Sequence, residues 1–169
     1  ARSIHSAERA AFAATPRQAG SMRRPQRIEP GPGQESVWDY PRPPRLERTG
    51  RRLRIEHRGV VVAETVAAWR VLETSQPPAY YLPRDDIAME HLEPAELRTF
   101  CEWKGLASYL DLVIDGDRTD AAAWYYPEPS PGFEPIRDHL AFYPQRVDAC
   151  FVDGERVLGV WSGGMFFTI

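Results

Sequence analysis

Lysine is almost absent from this sequence of 169 residues, in which Lys104 stands alone among 21 basic residues. Such a bias towards arginine reflects base composition of the gene more than recognition, but it draws attention to the single lysine. Cysteine is also scarce, because only Cys101 and Cys150 occur and they form no Cys-x-x-Cys motif. This scarcity excludes a disulfide framework and a four-cysteine zinc site, and it favours a reducing compartment.

Long apolar runs are missing as well. No stretch approaches the roughly 18 residues of a membrane span. The apolar patch at 10–14 follows Glu8 and Arg9 and is too short for the core of a signal peptide. The sequence therefore predicts a cytoplasmic protein without membrane contact.

The charges are distributed unevenly along the chain. Through Arg58 there are 13 arginines and 6 acidic residues, whereas 8 basic and 18 acidic residues follow. Residues 1–35 mix Arg, Ala, Pro and Gly without an apolar period, so we expect a flexible arm, with Met22 as a start of translation inside it. A basic arm can attract nucleic acid, or it can complement the acidic body of its own protein.

Alternating apolar and polar residues predict short strands. The alternation at 53–57 is interrupted by Arg58-Gly59 and resumes at 60–63, which predicts a β-hairpin. Asp115-Gly116 and Asp153-Gly154 each separate two apolar runs, and this dipeptide favours the two-residue turns of hairpins. Antiparallel strand pairs are therefore expected along most of the chain.

Helix is expected to be the minority state. The clearest helix candidate is 134–140, which is opened by Pro135 and closed before Pro144. Segment 66–73 fits a short helix or a strand, and 79–82 lies between prolines and is too short for anything but a strand. We predict a mostly β fold in which antiparallel sheets form a small barrel-like or tent-like sandwich with one or two short helices.

The length of the chain predicts a single domain. We expect the β-rich domain to span 36–158 and to be followed by an apolar C-terminal tail at 159–169, which would add a strand or contact a partner. Near the start of the domain, a proline-rich strap carries Trp38 and Tyr40. These two aromatics are expected to clamp the strap onto the domain surface, the alternative being a ligand for a proline-binding module.

Several segments carry a recognisable pattern in a fixed order. They are Gly59-Val-Val-Val-Ala63-Glu-Thr65, Val71-Leu-Glu73-Thr, Pro78-Ala-Tyr80-Tyr81-Leu-Pro83-Arg84-Asp85, Cys101-Glu-Trp-Lys104-Gly105-x-Ala-Ser-Tyr109, Ala123-Trp124-x-Tyr126-Pro127-x-Pro129, Ala141-Phe142-Tyr143-Pro144 and Val147-Asp148. Together they resemble the family of domains of unknown function numbered 427, also catalogued as nucleotidyltransferase-like. The resemblance covers roughly residues 36–157. It implies a compact tent-like domain with two antiparallel sheets and brings no established activity.

The residues do not assemble the site that nucleotidyl transfer needs. Such enzymes hold two metal ions on carboxylates beside a Gly-Ser turn. The segment Asp115-Gly116-Asp117 has fitting residue types, but its place between two strands favours turn chemistry. Tent-like relatives hold zinc on paired Cys-x-x-Cys ribbons, which this chain lacks, and its histidines have no ligand spacing to the cysteines. We expect no metal and no cofactor.

The segment Cys101–Gly105 is the most interesting for chemistry. A cation beside a thiol lowers the pKa of the thiol, and Gly105 permits a sharp turn that would bring Lys104 to Cys101. On a flat strand, residues three apart point to opposite faces, so a structural cysteine is the favoured alternative. Lys104 could pair with a substrate carboxylate or phosphate, or form a salt bridge with Glu73 or Asp85.

Glu73 and the pair Arg84-Asp85 are further polar candidates. Glu73 has apolar neighbours and, if buried, would need a partner such as Lys104, Arg84 or Tyr109. A raised pKa would make Glu73 a general base, and a plain internal ion pair is the alternative. Arg84 follows a strand end, where its guanidinium could bind an anionic ligand or a neighbouring carboxylate.

Aromatic residues are concentrated in the same motifs. They are Tyr80, Tyr81, Trp103, Tyr109, Trp124, Tyr125, Tyr126, Phe142 and Tyr143. Most must belong to the core, but flat rings with hydroxyl groups also line small-molecule pockets. Alternation along a strand places Trp124 and Tyr126 on one face and Tyr125 on the other.

Two functions follow as hypotheses. The first is a pocket for a small anionic molecule, with catalysis undecided by the sequence. Its candidate catalytic residues are Lys104, Glu73, Tyr109 and Cys101, and its candidate ligand-binding residues are Arg84, Asp85, Tyr81, Trp124 and Tyr126. The second is an interaction module that binds a protein or, less expected, nucleic acid through the arginine-rich arm.

Overall fold

The computed structural model describes residues 29–157 and the backbone of 167–168. Its strands are β1 (Gln34–Glu35), β2 (Arg45–Thr49), β3 (Leu53–His57), β4 (Val60–Thr65), β5 (Ala68–Leu72), β6 (Ala79–Tyr81), β7 (Leu92–Cys101), β8 (Gly105–Ile114), β9 (Asp117–Tyr125), β10 (Ala141–Phe142), β11 (Ala149–Val152), β12 (Glu155–Arg156) and β13 (Phe167–Thr168). Single 3-10 turns lie at Val37–Asp39, Arg84–Asp86, Met89–His91, Glu134–Ile136 and Pro144–Arg146. Within these bounds there is no α-helix, and hence no helix that could cross a membrane.

Three antiparallel sheets of three or four strands make up the domain, and β1 pairs with β13 separately. The first sheet has the order β10-β9-β8-β7, the second β12-β11-β3-β4 and the third β2-β5-β6. The sheets do not close into a barrel, so the mostly β, sandwich-like fold is confirmed. The family resemblance implied two sheets, and the structure has three because β2, β5 and β6 pair separately from the other strands.

The three predicted hairpin turns are confirmed. Arg58-Gly59 connects β3 to β4 with φ of 49° and 77°, Asp115-Gly116 connects β8 to β9 with 52° and 84°, and Asp153-Gly154 connects β11 to β12 with 51° and 85°. Two consecutive positive φ angles give a turn whose twist matches that of the flanking strands. Asp115 and Gly116 form the turn itself, and the carboxylate of Asp117 forms an ion pair with Arg58. The segment therefore has the structural role of a hairpin turn.

The predicted helix at 134–140 is wrong. A 3-10 turn ends at Ile136, after which Arg137 leaves the helical conformation with ψ of 126° and Asp138 takes a left-handed φ of 57°. The Asp138 amide donates to the Tyr126 carbonyl at 3.2 Å, and this tertiary bond stops the helix after one turn. Segment 66–73, which fitted a helix or a strand, contains β5, and the predicted strand at 79–82 contains β6.

Two core clusters lie on opposite faces of the first sheet. The first core cluster includes Leu53, Ile55, Val62, Leu82, Leu110, Leu112, Ile114, Leu140 and Val152. The second core cluster comprises Val71, Tyr81, Ala107, Tyr109, Ala121, Tyr126, Phe133, Ile136 and Ala141. Neighbouring residues of β8 divide between them, because Tyr109 belongs to the second cluster and Leu110 to the first. Leu82 and Leu140 exchange backbone hydrogen bonds of 2.8 and 2.9 Å and join the third sheet to the first.

The proline-rich strap is held by one of the two predicted aromatics. Tyr40 is buried and packs with Val37 and Leu72, and its hydroxyl donates to Glu35 at 2.7 Å. Trp38 is 53% exposed, so the prediction that it clamps the strap is wrong. Residues 1–28 of the predicted arm, including Met22, lie outside the described residues. Most of the predicted tail at 159–169 also lies outside them, and its described strand β13 pairs with β1.

Candidate functional site

The β7–β8 hairpin brings Cys101 and Lys104 together. Cys101 ends β7 and pairs with Gly105 at the start of β8, so residues 102–104 form the turn. The expectation from a flat strand, in which residues three apart diverge, does not hold here because the chain reverses between them. Gly105 has a φ of 95°, a backbone conformation that side-chain-bearing residues rarely adopt.

The Cys101 thiol is half-buried in an electropositive environment. Burial opposes its ionisation, but the backbone N–H groups of Lys104 and Trp103 donate towards the sulfur and the Lys104 ammonium adds a positive charge. The pKa of Cys101 therefore lies below its ordinary value. Burial alone raises the pKa of Cys150 to about 11. Cys101 therefore ionises more readily than Cys150, and the thiolate is the nucleophilic form of a cysteine.

Lys104 is buried, and none of the carboxylates in the described part of the chain pairs with it. Only 9% of its surface is exposed, and its ammonium lies 5.9 Å from the centre of the Tyr126 ring. Within residues 29–157, Lys104 forms no ion pair. Neither of the predicted salt bridges is present, because Glu73 lies 3.3 Å from Arg42 and Asp85 is exposed on its 3-10 turn.

Buried tyrosines form a wall beside this pair. Tyr81 has no exposed surface, and Tyr126 and Tyr109 are also buried. The Trp124 indole donates to the Tyr81 hydroxyl at 3.2 Å, and the two rings meet edge to face with centroids 6.2 Å apart. Burial raises the pKa of Tyr81 and Tyr126, assisted by neighbouring groups that include Cys101. Both hydroxyls therefore keep their protons at neutral pH and can donate hydrogen bonds.

Two residues that sequence reasoning missed extend the wall. Thr99 on β7 shares a 2.7 Å hydrogen bond with the Tyr109 hydroxyl. The ring of Tyr143 lies 4.3 Å from that of Trp124, and burial together with a hydroxyl interaction with Tyr109 raises the pKa of Tyr143 to about 12. Tyr143 was among the quoted motif residues and could have been chosen. Thr99 gave no signal, because its role depends on the pairing of β7 with β8.

None of the remaining polar candidates forms an ion pair with Lys104 within residues 29–157. Arg84 stacks on Tyr125 at 4.8 Å, and its Nε donates to the Asp138 carbonyl at 2.9 Å. Tyr125 packs against the first core cluster, so Arg84 is on the other side of the sheet from the tyrosine wall, and Asp85 is exposed. Glu73 is tied to Arg42, which also contacts Glu102 at 3.3 Å. The structure thus brings together only part of the predicted set, namely Lys104, Cys101, Tyr109, Tyr81, Trp124 and Tyr126.

An open groove on the second sheet has a different character. It is lined by Arg52, Arg54, Glu56, Glu64, Phe151 and Gly154. Its charges neutralise one another, because Arg54 contacts Glu56 at 2.6 Å and Glu64 at 2.8 Å. Paired surface charges in water contribute little and leave no charge for a ligand to meet. The Lys104 site is therefore the better candidate.

Gly105 sets the geometry of the turn and can be tested by substitution. A Cβ at this position would lie 3.2 Å from the Ser130 Oγ and 3.4 Å from the Glu128 carbonyl oxygen. Gly105→Ala should lower the free energy of unfolding by at least about 2 kcal/mol, from backbone strain and this crowding. The matched control is Gly116→Ala, where φ is also positive but the space is open. Chemical denaturation measures both, and a loss no greater than that of Gly116→Ala would contradict the crowding.

The fold and the site define a compact antiparallel β domain that holds a thiol–ammonium pair against buried tyrosines. The chain belongs to the family described as Domain of unknown function (DUF427), whose model matches residues 45–153. The matched segment contains Cys101, Lys104 and every tyrosine of the wall. No curated protein matches the sequence.

Proposed function

We propose that the domain binds a small anionic molecule at the turn between β7 and β8. The observation that carries this proposal is the low exposure of Lys104, 9%, although its ammonium forms no ion pair with a carboxylate of residues 29–157. Burying an unpaired charge costs several kcal/mol, so such groups are normally paired. A bound anion would supply the missing charge.

A buried donor without an acceptor supports the same ligand chemistry. The indole Nε1 of Trp103, in the same turn as Lys104, is buried and has no hydrogen-bond acceptor within the described residues. Buried donors are satisfied in the great majority of native structures. A carboxylate or phosphate oxygen could accept from Trp103 while it pairs with Lys104. The ammonium and the N–H group are the two donors that we propose for an oxyanion.

The residues around Lys104 suggest how a ligand could approach and react. Tyr81 and Tyr126 close one side, whereas Cys101, Trp103 and Trp124 are only half-buried and leave an approach from outside. A small anion entering there would meet the Cys101 sulfur. The Cys101 thiolate is the group we propose as a nucleophile, should the bound molecule be electrophilic.

Thermal-shift measurements on the full chain with small carboxylates, phosphates and nucleotides would test the proposal. A ligand that binds the folded state at 100 times its Kd stabilises it by about 2.7 kcal/mol. We expect stabilisation by at least one anion, its loss in Lys104→Gln and its retention in Arg84→Gln. Arg84→Gln is the matched control, because it removes a cation on the opposite side of the first sheet.

Two results would contradict the proposal. Stabilisation that survives Lys104→Gln would place the ligand elsewhere, and a well-folded protein that no anion stabilises would argue against an anion site. The alternative function, partner binding through the arginine-rich arm, rests on residues largely outside the described part of the chain. The contacts of the described residues favour the small-molecule site.

A further inference from the structure

We propose that Cys101 is oxidised by hydroperoxides and that Lys104 then captures the oxidised sulfur in a sulfur–nitrogen bond. This inference rests on the site of the proposed function and names a second class of reactant for it. A hydroperoxide needs little space, so a half-buried thiol at the end of β7 is accessible enough for the reaction. No anionic ligand has to be bound.

The arrangement around the sulfur favours attack on a peroxide. The turn places Trp103 and Lys104 beside Cys101, and although burial opposes ionisation, their N–H groups and the Lys104 ammonium lower the pKa of the thiol and so favour the thiolate. Thiolate character and accessibility are the two properties that select cysteines for oxidation. The same ammonium can stabilise the negative charge that develops on the departing oxygen.

The atoms and electrons balance with a peroxide as the only oxidant. The thiolate attacks one peroxide oxygen, the oxygen–oxygen bond breaks, and sulfenic acid and hydroxide form. Hydroxide takes a proton from the Lys104 ammonium and becomes water. The neutral amine then attacks the sulfur and displaces the sulfenic hydroxyl, which leaves with an amine proton as a second water. Sulfur is oxidised by two electrons, and both peroxide oxygens end as water.

Lys104 is the best-placed group to resolve the sulfenic acid. Sulfenic acids condense with a thiol or with a nitrogen nucleophile. The only other thiol, Cys150, lies on β11 in the second sheet and packs against the first core cluster, on the far side of the first sheet from the tyrosine wall. Lys104, by contrast, is in the turn that directly follows Cys101, its ammonium acts on the thiol, and no carboxylate within residues 29–157 forms an ion pair with it.

The experiment treats the full chain carrying Cys150→Ser with hydrogen peroxide and measures intact mass and peptide masses. The Cys150→Ser background is required because a disulfide would also remove two hydrogens. We expect the mass to fall by two hydrogens, with the change confined to the peptide that contains residues 101–104 and reversed by dithiothreitol. In the Lys104→Gln variant the same treatment should add one oxygen to Cys101, and dimedone should trap the sulfenic acid that forms. Cys101→Ser should stay unchanged.

Three outcomes would overturn the inference. An unchanged mass shows that Cys101 is not oxidised. A gain of one oxygen with a dimedone adduct in the presence of Lys104 shows that the amine does not capture the sulfur. A gain of one oxygen combined with the loss of two hydrogens shows that the two atoms are not bonded directly. Anion binding through Lys104 without the mass loss would leave the proposed function intact, and the mass loss without anion binding would leave only this inference.

Discussion

Tyr81→Ala should lower the free energy of unfolding by about 3–5 kcal/mol, the cost typical of truncating a large buried aromatic. Tyr81 has no exposed surface and lies in the second core cluster. Its ring contacts Trp124 edge to face and Tyr126 at a centroid distance of 6.3 Å, so truncation would leave a cavity with rigid walls. Urea denaturation followed by tryptophan fluorescence measures the loss.

The conservative variant Tyr81→Phe separates the ring from its hydroxyl. It retains the packing but leaves the Trp124 indole without its acceptor, so we expect a loss of about 1–3 kcal/mol. Tyr81→Phe should therefore be clearly less damaging than Tyr81→Ala. Equal losses would mean that the hydroxyl, and not the buried ring, provides the stability, contrary to the packing described above.

Lys104→Gln should raise the pKa of the Cys101 thiol and slow its alkylation by iodoacetamide severalfold at neutral pH. The Lys104 ammonium favours the thiolate, whereas burial favours the neutral thiol. Without the ammonium, the thiolate should form at higher pH, so the whole curve of rate against pH moves to higher pH. The shift is expected to be partial, because the backbone N–H groups of residues 103 and 104 remain.

The alkylation experiment contains its own internal control. Cys150, with a pKa of about 11, should react slowly in every variant, and peptide mapping distinguishes the two cysteines. Lys104→Arg keeps the positive charge and should restore much of the rate, whereas Arg84→Gln should leave it unchanged. If Lys104→Gln reacts as fast as the parent protein, the ammonium does not control the thiol, and the proposed nucleophile loses its support.

The fold was predictable where local chemistry decides it. Asp115-Gly116 and Asp153-Gly154 form the expected turns because Gly, and to a lesser degree Asp, tolerates positive φ at both positions. The segment 134–140 carried equally local signals for a helix, but the hydrogen bond from the Asp138 amide to Tyr126 overrides them. That bond joins residues brought close only by the tertiary structure, which no local pattern reveals.

The residue types of the candidate site were predictable from the sequence, but the contacts that these residues make were not. The only lysine and a nearby cysteine stood out in the sequence, and the hairpin places them together. Arg84 is only three residues from Tyr81, yet its side chain stacks on Tyr125 across the sheet from the tyrosine wall. Sequence distance does not show which face of a sheet a residue occupies, and for this reason the pairing of Glu73 with Arg42 was also missed.

The position of the first sheet between two core clusters has a consequence for the dynamics of the domain. Strands β8 and β9 have hydrogen-bonded neighbours on both edges and contribute side chains to both clusters. Neither cluster can open without breaking the packing of the strands that serve the other. The amide hydrogens of β8 and β9 should therefore exchange with solvent only through global unfolding. The hairpin that carries Cys101 and Lys104 is anchored in this slowest-exchanging unit, so its thiol and ammonium are held in register for as long as the domain is folded.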